Sequence, residues 1–224
     1  MQRPSQKPSF WYRNGLTLFF LFLFFITLIG QGLTGWKEHN QQLQDNGGAI
    51  LSLGQYLKTG HFISATFENF QSEFLQMGMY VLLTVGLRQI GSAESKSLNE
   101  PEEVDRDPDP SLPGAPWPVK KGGIWLKLYS NSLSLCFLIL FLISWALHLY
   151  GSWVDHNDLQ LLMHKPQDSL IQFLGEPTFW FETFQNWQSE FISIVAIVFL
   201  TIYLRQKGSS ESKPVDAPHM ETGK

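Results

Sequence analysis

The stretch LTLFFLFLFFITLIGQGLT, residues 16–34, decides the fold. It runs for 19 residues without a charge, and at 1.5 Å of rise per residue it nearly crosses a hydrocarbon core of ~30 Å. It reads as a membrane-spanning helix. Arg3, Lys7 and Arg13 precede it in the manner of a secretory leader, but the run is long and no small-residue cleavage site stands out. Residues 131–150, NSLSLCFLILFLISWALHLY, match it, and an internal copy is not a cleaved leader.

The match extends outward from both runs. A shift of 117 positions aligns residues 12–96 with 129–213 without a gap, and 35 of the 85 pairs are identical, the pattern of a duplicated unit. Tyr12, Asn14, Trp36, His39 and Asn40 meet Tyr129, Asn131, Trp153, His156 and Asn157. Further on, Asn69, Gln71, Ser72 and Glu73 meet Asn186, Gln188, Ser189 and Glu190. The expected organisation is an N-terminal segment over 1–11 and a first two-helix repeat over 12–96, with helices at about 14–35 and 62–88. A cytoplasmic linker over 97–128 follows, flexible by its Pro- and acid-rich composition over 97–119, then a second repeat over 129–213, with helices at about 131–152 and 179–205, and a disordered tail over 214–224. The fold class is all-α, a four-helix transmembrane bundle made of two parallel two-helix repeats.

The second helix of each repeat is less apolar. The purely apolar part from Phe74 to Leu87 is about 14 residues, too short to span, so polar residues enter the membrane. Asn69, Ser72, Glu73 and Gln76 fall at i, i+3, i+4 and i+7 on one stripe, and the second repeat reads Asn186, Ser189, Glu190 and Ser193. Glu73 lies ~22 Å along the axis from Arg88, in the outer third of a bilayer. Such a stripe is expected to face other helices. Two readings of Glu73 and Glu190 stand side by side. Each glutamate hydrogen-bonds across a pseudo-twofold interface to Asn69, Asn186, Gln71 or Gln188 and joins helices, or each carries a proton or cation through the membrane.

Two helices per repeat place both repeats in the same orientation and both termini on one side. Of the 16 Lys and Arg residues, only Lys37, Lys58 and Lys165 lie in the 36–61 and 153–178 loops, so the positive-inside rule puts the termini in the cytoplasm. Trp36 and Trp153 mark the outer interface; Trp11, Tyr12, Trp125 and Tyr129 mark the inner one. In the outer loops, Ser52 to Leu57 and Ser169 to Leu174 form short amphipathic segments fit for the interface plane.

Composition agrees with this picture. Eighteen Phe and eight Trp suit lipid-facing helices with interfacial anchors. The net charge of −4 and the absence of a basic groove argue against a nucleic-acid partner. A single cysteine, Cys136, excludes an intrachain disulfide and any multi-cysteine centre. No nucleophile elbow, phosphate loop, dinucleotide fingerprint or zinc-protease motif occurs, so neither an enzyme nor a bound cofactor is expected. The lipid bilayer is the expected partner, and a homo-oligomer is compatible with the pattern.

Other residues carry weaker signals. His39 and His156 each follow an acid in W-x-[DE]-H-N, and two such pairs are candidates for a metal across the symmetry axis, with helix capping and interfacial anchoring as the plain reading. His148 aligns with Gln31, which does not support a symmetric pair of haem ligands within the membrane. Arg88, Lys96, Arg205 and Lys213 sit where the second helices end, as helix caps or lipid-headgroup contacts. Gly30 with Thr34, and Gly78 with Gly86, read as sites of close helix approach.

ENFQSEF at 68–74 and QNWQSEF at 185–191, LRQIGSAESK at 87–96 and LRQKGSSESK at 204–213, and the closing KPVDAPH at 213–219 resemble a family of bacterial integral membrane proteins described as a domain of unknown function. The resemblance covers nearly the whole chain. It implies the topology and a bacterial inner membrane, and it assigns no catalytic residue. The expected function is that of a structural or accessory inner-membrane protein. A small proton- or cation-coupled transporter or channel built on Glu73 and Glu190 is the alternative.

Overall fold

A computed structural model of the chain describes residues 9–223. Among these residues every regular element is helical: α1 (Phe10–Asp45), α2 (Leu53–Tyr56), α3 (Gly60–Leu83), α4 (Trp117–Lys121), α5 (Gly123–Ser130), α6 (Ser132–Leu162), α7 (Leu170–Phe173) and α8 (Pro177–Tyr203), with a 3₁₀ turn at Glu103–Asp105. The expected N-terminal segment 1–11 falls mostly outside the described residues.

The boundaries follow local chemistry. Ser9 caps α1 by accepting from the Tyr12 amide at 3.3 Å. The helix then runs well past the expected end near 35, because residues 36–45, WKEHNQQLQD, contain neither Gly nor Pro. It stops where Gly47 takes a positive φ of 75°. Likewise α6 outlasts the expected 152 and ends ahead of His164, which sits at φ 55°, and Pro166. Helix α3 does the opposite and closes at Leu83, short of 88. Thr84, Val85 and Gly86 are poor helix formers, and the Arg88 guanidinium turns back to donate to the carbonyls of Thr84, Val85 and Leu87 at 3.0–3.2 Å. The expected linker 97–128 is also more structured than its composition suggested, since it holds the 3₁₀ turn, α4 and most of α5.

Among the described residues, three helices are long and apolar enough to cross a membrane: α1, α6 and α8, of 36, 31 and 27 residues. Four were expected. Helix α3, at 24 residues, has the length, but Glu68, Asn69, Gln71, Ser72, Glu73 and Gln76 keep it out of that group. The apolar run of α1 is almost wholly exposed; Phe19, Phe20 and Phe22 stand 58–60% open. So large an apolar surface marks contact with lipid or protein rather than water.

The chain forms two compact units. One comprises the chain up to Ser64 together with Gly151–Ser169; the other comprises Ala65–Tyr150 and the chain from Leu170 onward. In the first unit the loop after α1 is tied back by Trp36 and Asn40, which donate to the Leu51 carbonyl at 2.7 and 2.9 Å, while the Leu51 amide donates to Asn40 at 2.8 Å. The same three bonds recur 117 positions on, from Trp153 and Asn157 to the Asp168 carbonyl at 2.8 and 2.9 Å and from the Asp168 amide to Asn157 at 2.7 Å. Gly60 at the start of α3 lies against α6 so closely that a Cβ would stand 2.5 Å from the Gly151 carbonyl oxygen. Ser64 and Ser152 share a 2.6 Å hydrogen bond beside it.

In the second unit, α3, α6 and α8 pack together through Phe74–Phe137, Phe141–Trp187 and Trp145–Phe179 ring contacts. Of the small residues read as packing sites, Gly78 lies where an added Cβ would stand 3.2 Å from that of Phe137, whereas Gly30 and Gly86 face open space. The tight approach belongs to Gly60 and Gly151, which the repeat comparison hides because they align with Pro177 and Thr34. Gly151→Ala, with backbone on the far side that cannot give way, is expected to lower stability by about 1–3 kcal/mol. Gly30→Ala is expected to leave it unchanged or slightly raised. Thermal unfolding of both variants in one detergent checks this.

Candidate functional site

Polar side chains gather in two places: along α3 and α8 in the second unit, and at the end of α1 in the first. Along α3, Gln71, Ser72 and Gln76 are buried, at 0%, 1% and 6% exposure. The Gln71 carbonyl oxygen accepts from the Trp187 indole at 2.8 Å. Gln76 donates to the Glu190 backbone carbonyl at 2.7 Å and to the Ser193 hydroxyl. Asn186 donates to the Glu68 carboxylate. The carboxylates of Glu190 and Glu73 act on one another electrostatically.

The residues of the predicted stripe fall in different surroundings. Ser72, Gln76, Asn186, Glu190 and Ser193 lie on or beside the α3–α8 seam, but Asn69, Glu73 and Ser189 are exposed. Asn69 turns to its own Ala65 carbonyl at 3.1 Å, and the Ser72 and Ser189 hydroxyls turn to Asn69 and Asn186 carbonyls at 2.8 Å. Glu68, Gln71 and Trp187 complete the seam instead. Along these helices Gln71 Nε2 and Thr183 Oγ1 are buried with no hydrogen-bond partner. A cavity of about 250 Å³ opens nearby, walled by Met79, Leu83, Phe191, Ile194 and Val198, with Tyr80 donating to Glu94 at 2.7 Å on its border.

At the far end of α1, beyond the uncharged run, His39 is 5% exposed and its Nδ1 has no hydrogen-bond partner. Its ring lies 4.7 Å from that of His61 and 5.7 Å from that of Tyr56. The charges of Asp155, Glu38 and Asp158 act on it. Tyr56 is buried, and burial, reinforced by Glu38 and Asp155, pushes its hydroxyl up to about 12. It stays protonated and donates to His61 Nδ1 at 3.1 Å. The His61 proton then belongs on Nε2, which faces Glu38 at 3.4 Å. His61 and Tyr56 were missed because they align with Thr178 and Phe173 and so escape a comparison of the repeats.

His39 and His156 do not converge on common ligands. His156 Nε2 bonds Asp168 at 2.9 Å, with Gln160 at 3.3 Å. Among the described residues, no group of three or more His, Cys, Asp and Glu side chains is arranged to hold a metal ion.

The four basic residues at the helix ends take separate roles. Arg88 and Arg205 cap the carbonyls they follow, Arg205 donating to Thr201, Ile202 and Leu204 at 2.8–3.1 Å. Lys96 pairs with Asp105. Lys213 is 2% exposed, and its ammonium donates to the carbonyls of Gly91, Pro218, His219 and Glu221 at 2.6–3.2 Å. Gly223 adds a bond to the Ser92 carbonyl at 3.0 Å, and Thr222 accepts from the Gly91 amide at 2.9 Å. The described part of the tail, expected to be disordered, is thus folded around one lysine. Its order comes from backbone carbonyls, which leave no trace in a side-chain pattern.

Two outcomes follow. Burial holds His61 below the usual histidine range, with Glu38 opposing. The unfolded chain therefore binds the proton first, and the stability linked to His61 is complete above a pH of about 6.5 and lost as the pH falls below it. Melting temperatures between pH 7.5 and 5.5 should fall less steeply in His61→Gln than in the wild type. Lys213→Met strands several carbonyls at about 1–3 kcal/mol each for those that water cannot reach. It should increase amide hydrogen exchange in residues 89–95 and 217–223, while Lys207→Met leaves exchange there unchanged.

A family model described as a domain of unknown function, DUF6766, matches residues 7–224. No curated protein and no solved structure matches the chain.

Proposed function

The chain belongs to this family of unknown function, and we propose that it is a multi-pass inner-membrane protein of structural or accessory role, built from two parallel two-helix repeats with cytoplasmic termini. Duplication is supported by the bonds that recur 117 positions apart: Trp36, Asn40 and Leu51 against Trp153, Asn157 and Asp168, and the amides of Gln89 and Gln206 donating to Ser95 and Ser212 at 2.9 and 3.0 Å. Helix α3 is the fourth span in this reading, its polar face turned to α8.

The observation that carries the structural role is the α3–α8 seam, where Trp187 donates to Gln71, Gln76 to Glu190 and Ser193, and Asn186 to Glu68. Side chains that spend their hydrogen bonds on one another hold helices together in hydrocarbon. A second reading rests on the same helices. Glu73 and Glu190 lie close enough to act on one another electrostatically, and ionisable groups at that depth suit a proton-coupled transporter or channel.

Purified protein in liposomes separates the two. The structural role predicts no proton or cation flux above empty liposomes under an imposed gradient, together with a melting temperature several degrees lower in Gln76→Leu, about 0.6–1.7 kcal/mol for interhelical bonds of this kind. A wild-type flux abolished by Glu73→Gln or Glu190→Gln at equal folded-protein levels would replace it with the transport reading.

A further inference from the structure

Helices α4 and α5 have a composition unlike that of the connection around them. Between Trp117 and Ser130 there are three cations, Lys120, Lys121 and Lys127, and no carboxylate. The large apolar side chains here are not folded inward: Trp117, Ile124, Trp125 and Leu128 are 57%, 62%, 45% and 47% exposed. The Lys121 ammonium stands over both indoles, 4.8 Å from the Trp117 ring and 5.0 Å from the Trp125 ring, and the rings meet edge to face at 5.4 Å. Lysine and tryptophan are thereby presented as one surface.

Position supplies the occupant. Helix α5 ends at Ser130 and α6 begins at Ser132, so the segment leads directly into an apolar run long enough to cross a membrane. It stands at the level where hydrocarbon gives way to headgroups, the depth at which Trp and Tyr collect. Among the acids of the preceding stretch, Glu103 pairs with Arg106 at 3.2 Å, Asp105 with Lys96, and Asp109 with Ser111 at 2.6 Å.

We propose that residues 117–130 form a foot that binds anionic phospholipid, with Lys120, Lys121 and Lys127 on the headgroup phosphates and Trp117, Ile124, Trp125 and Leu128 in the upper acyl region. The proposal rests on α6 being a span. An uncharged bilayer would satisfy the apolar side chains alone; the lysines make the foot selective for negative lipid.

The test uses the full chain in lipid nanodiscs, open on both faces, made of phosphatidylcholine with or without phosphatidylglycerol. In a Cys136→Ser background, Ile124→Cys gives a thiol whose labelling by a water-soluble maleimide reports insertion of the foot. Phosphatidylglycerol should slow labelling about fivefold or more, the scale of one lysine at an anionic surface. Replacing Lys120, Lys121 and Lys127 by Gln should remove that difference. Equal rates in both lipids, or a preference that survives the triple replacement, overturn the proposal. A second thiol, from Ile143→Cys within α6, separates the causes of failure. If it is protected while position 124 ignores the lipid, only the foot is wrong; if it labels freely, the span falls and the foot with it.

Discussion

Hydrocarbon offers no partner to a polar group, so a helix that crosses it either carries none or brings partners along. Helix α1 keeps close to the first course, with 19 residues free of charge and only Gln31 and three threonines as polar side chains. Helix α3, in the four-span reading proposed above, takes the second. Gln71, Ser72 and Gln76 are inside, and the bonds to Trp187, Glu190 and Ser193 tie α3 to α8. A lipid-facing α3 would leave those groups unpaired at a cost of several kcal/mol each, so the pairing with α8 is the arrangement its composition demands. The phenyl and indole contacts to α6 then fill the remaining side.

Length and hydropathy made α1, α6 and α8 legible, because rise per residue and bilayer thickness leave little freedom. The direction of the α3 stripe was harder. Residues 68–76 hold six polar side chains, so the helical period fixes that one face is polar without fixing its centre. The seam is centred on Glu68, Gln71, Ser72 and Gln76 rather than on Asn69 and Glu73. The group around His39 was half legible. His39 and its acid recur in the second repeat, but Tyr56 and His61 become Phe173 and Thr178, and a search for what the halves share passes over them.

The two proposed repeats agree where backbone must be held and differ where side chains meet. Trp and Asn close the same loop in both, and the end of α3 and of α8 carries the same arginine cap. The matching lysines diverge: Lys96 finds an aspartate in solvent, while Lys213 is enclosed by carbonyls. The matching histidines diverge as well, His39 lying against His61 and Tyr56, and His156 bonding Asp168. Repeats of this kind, with unequal chemistry at their ends, are poorly suited to two identical sites and well suited to two different contacts.

The enclosure of Lys213 also orders events during synthesis. Three of its carbonyls belong to residues 218–221 and the fourth to Gly91, so the ring cannot close until α8 has been made and the end of α3 is within reach. The loop at 89–95, already bonded to α8 through Ser92 and Thr201, gains its last partners only from the final residues of the chain. The tail therefore acts as a clasp that joins the end of α3 to the end of α8.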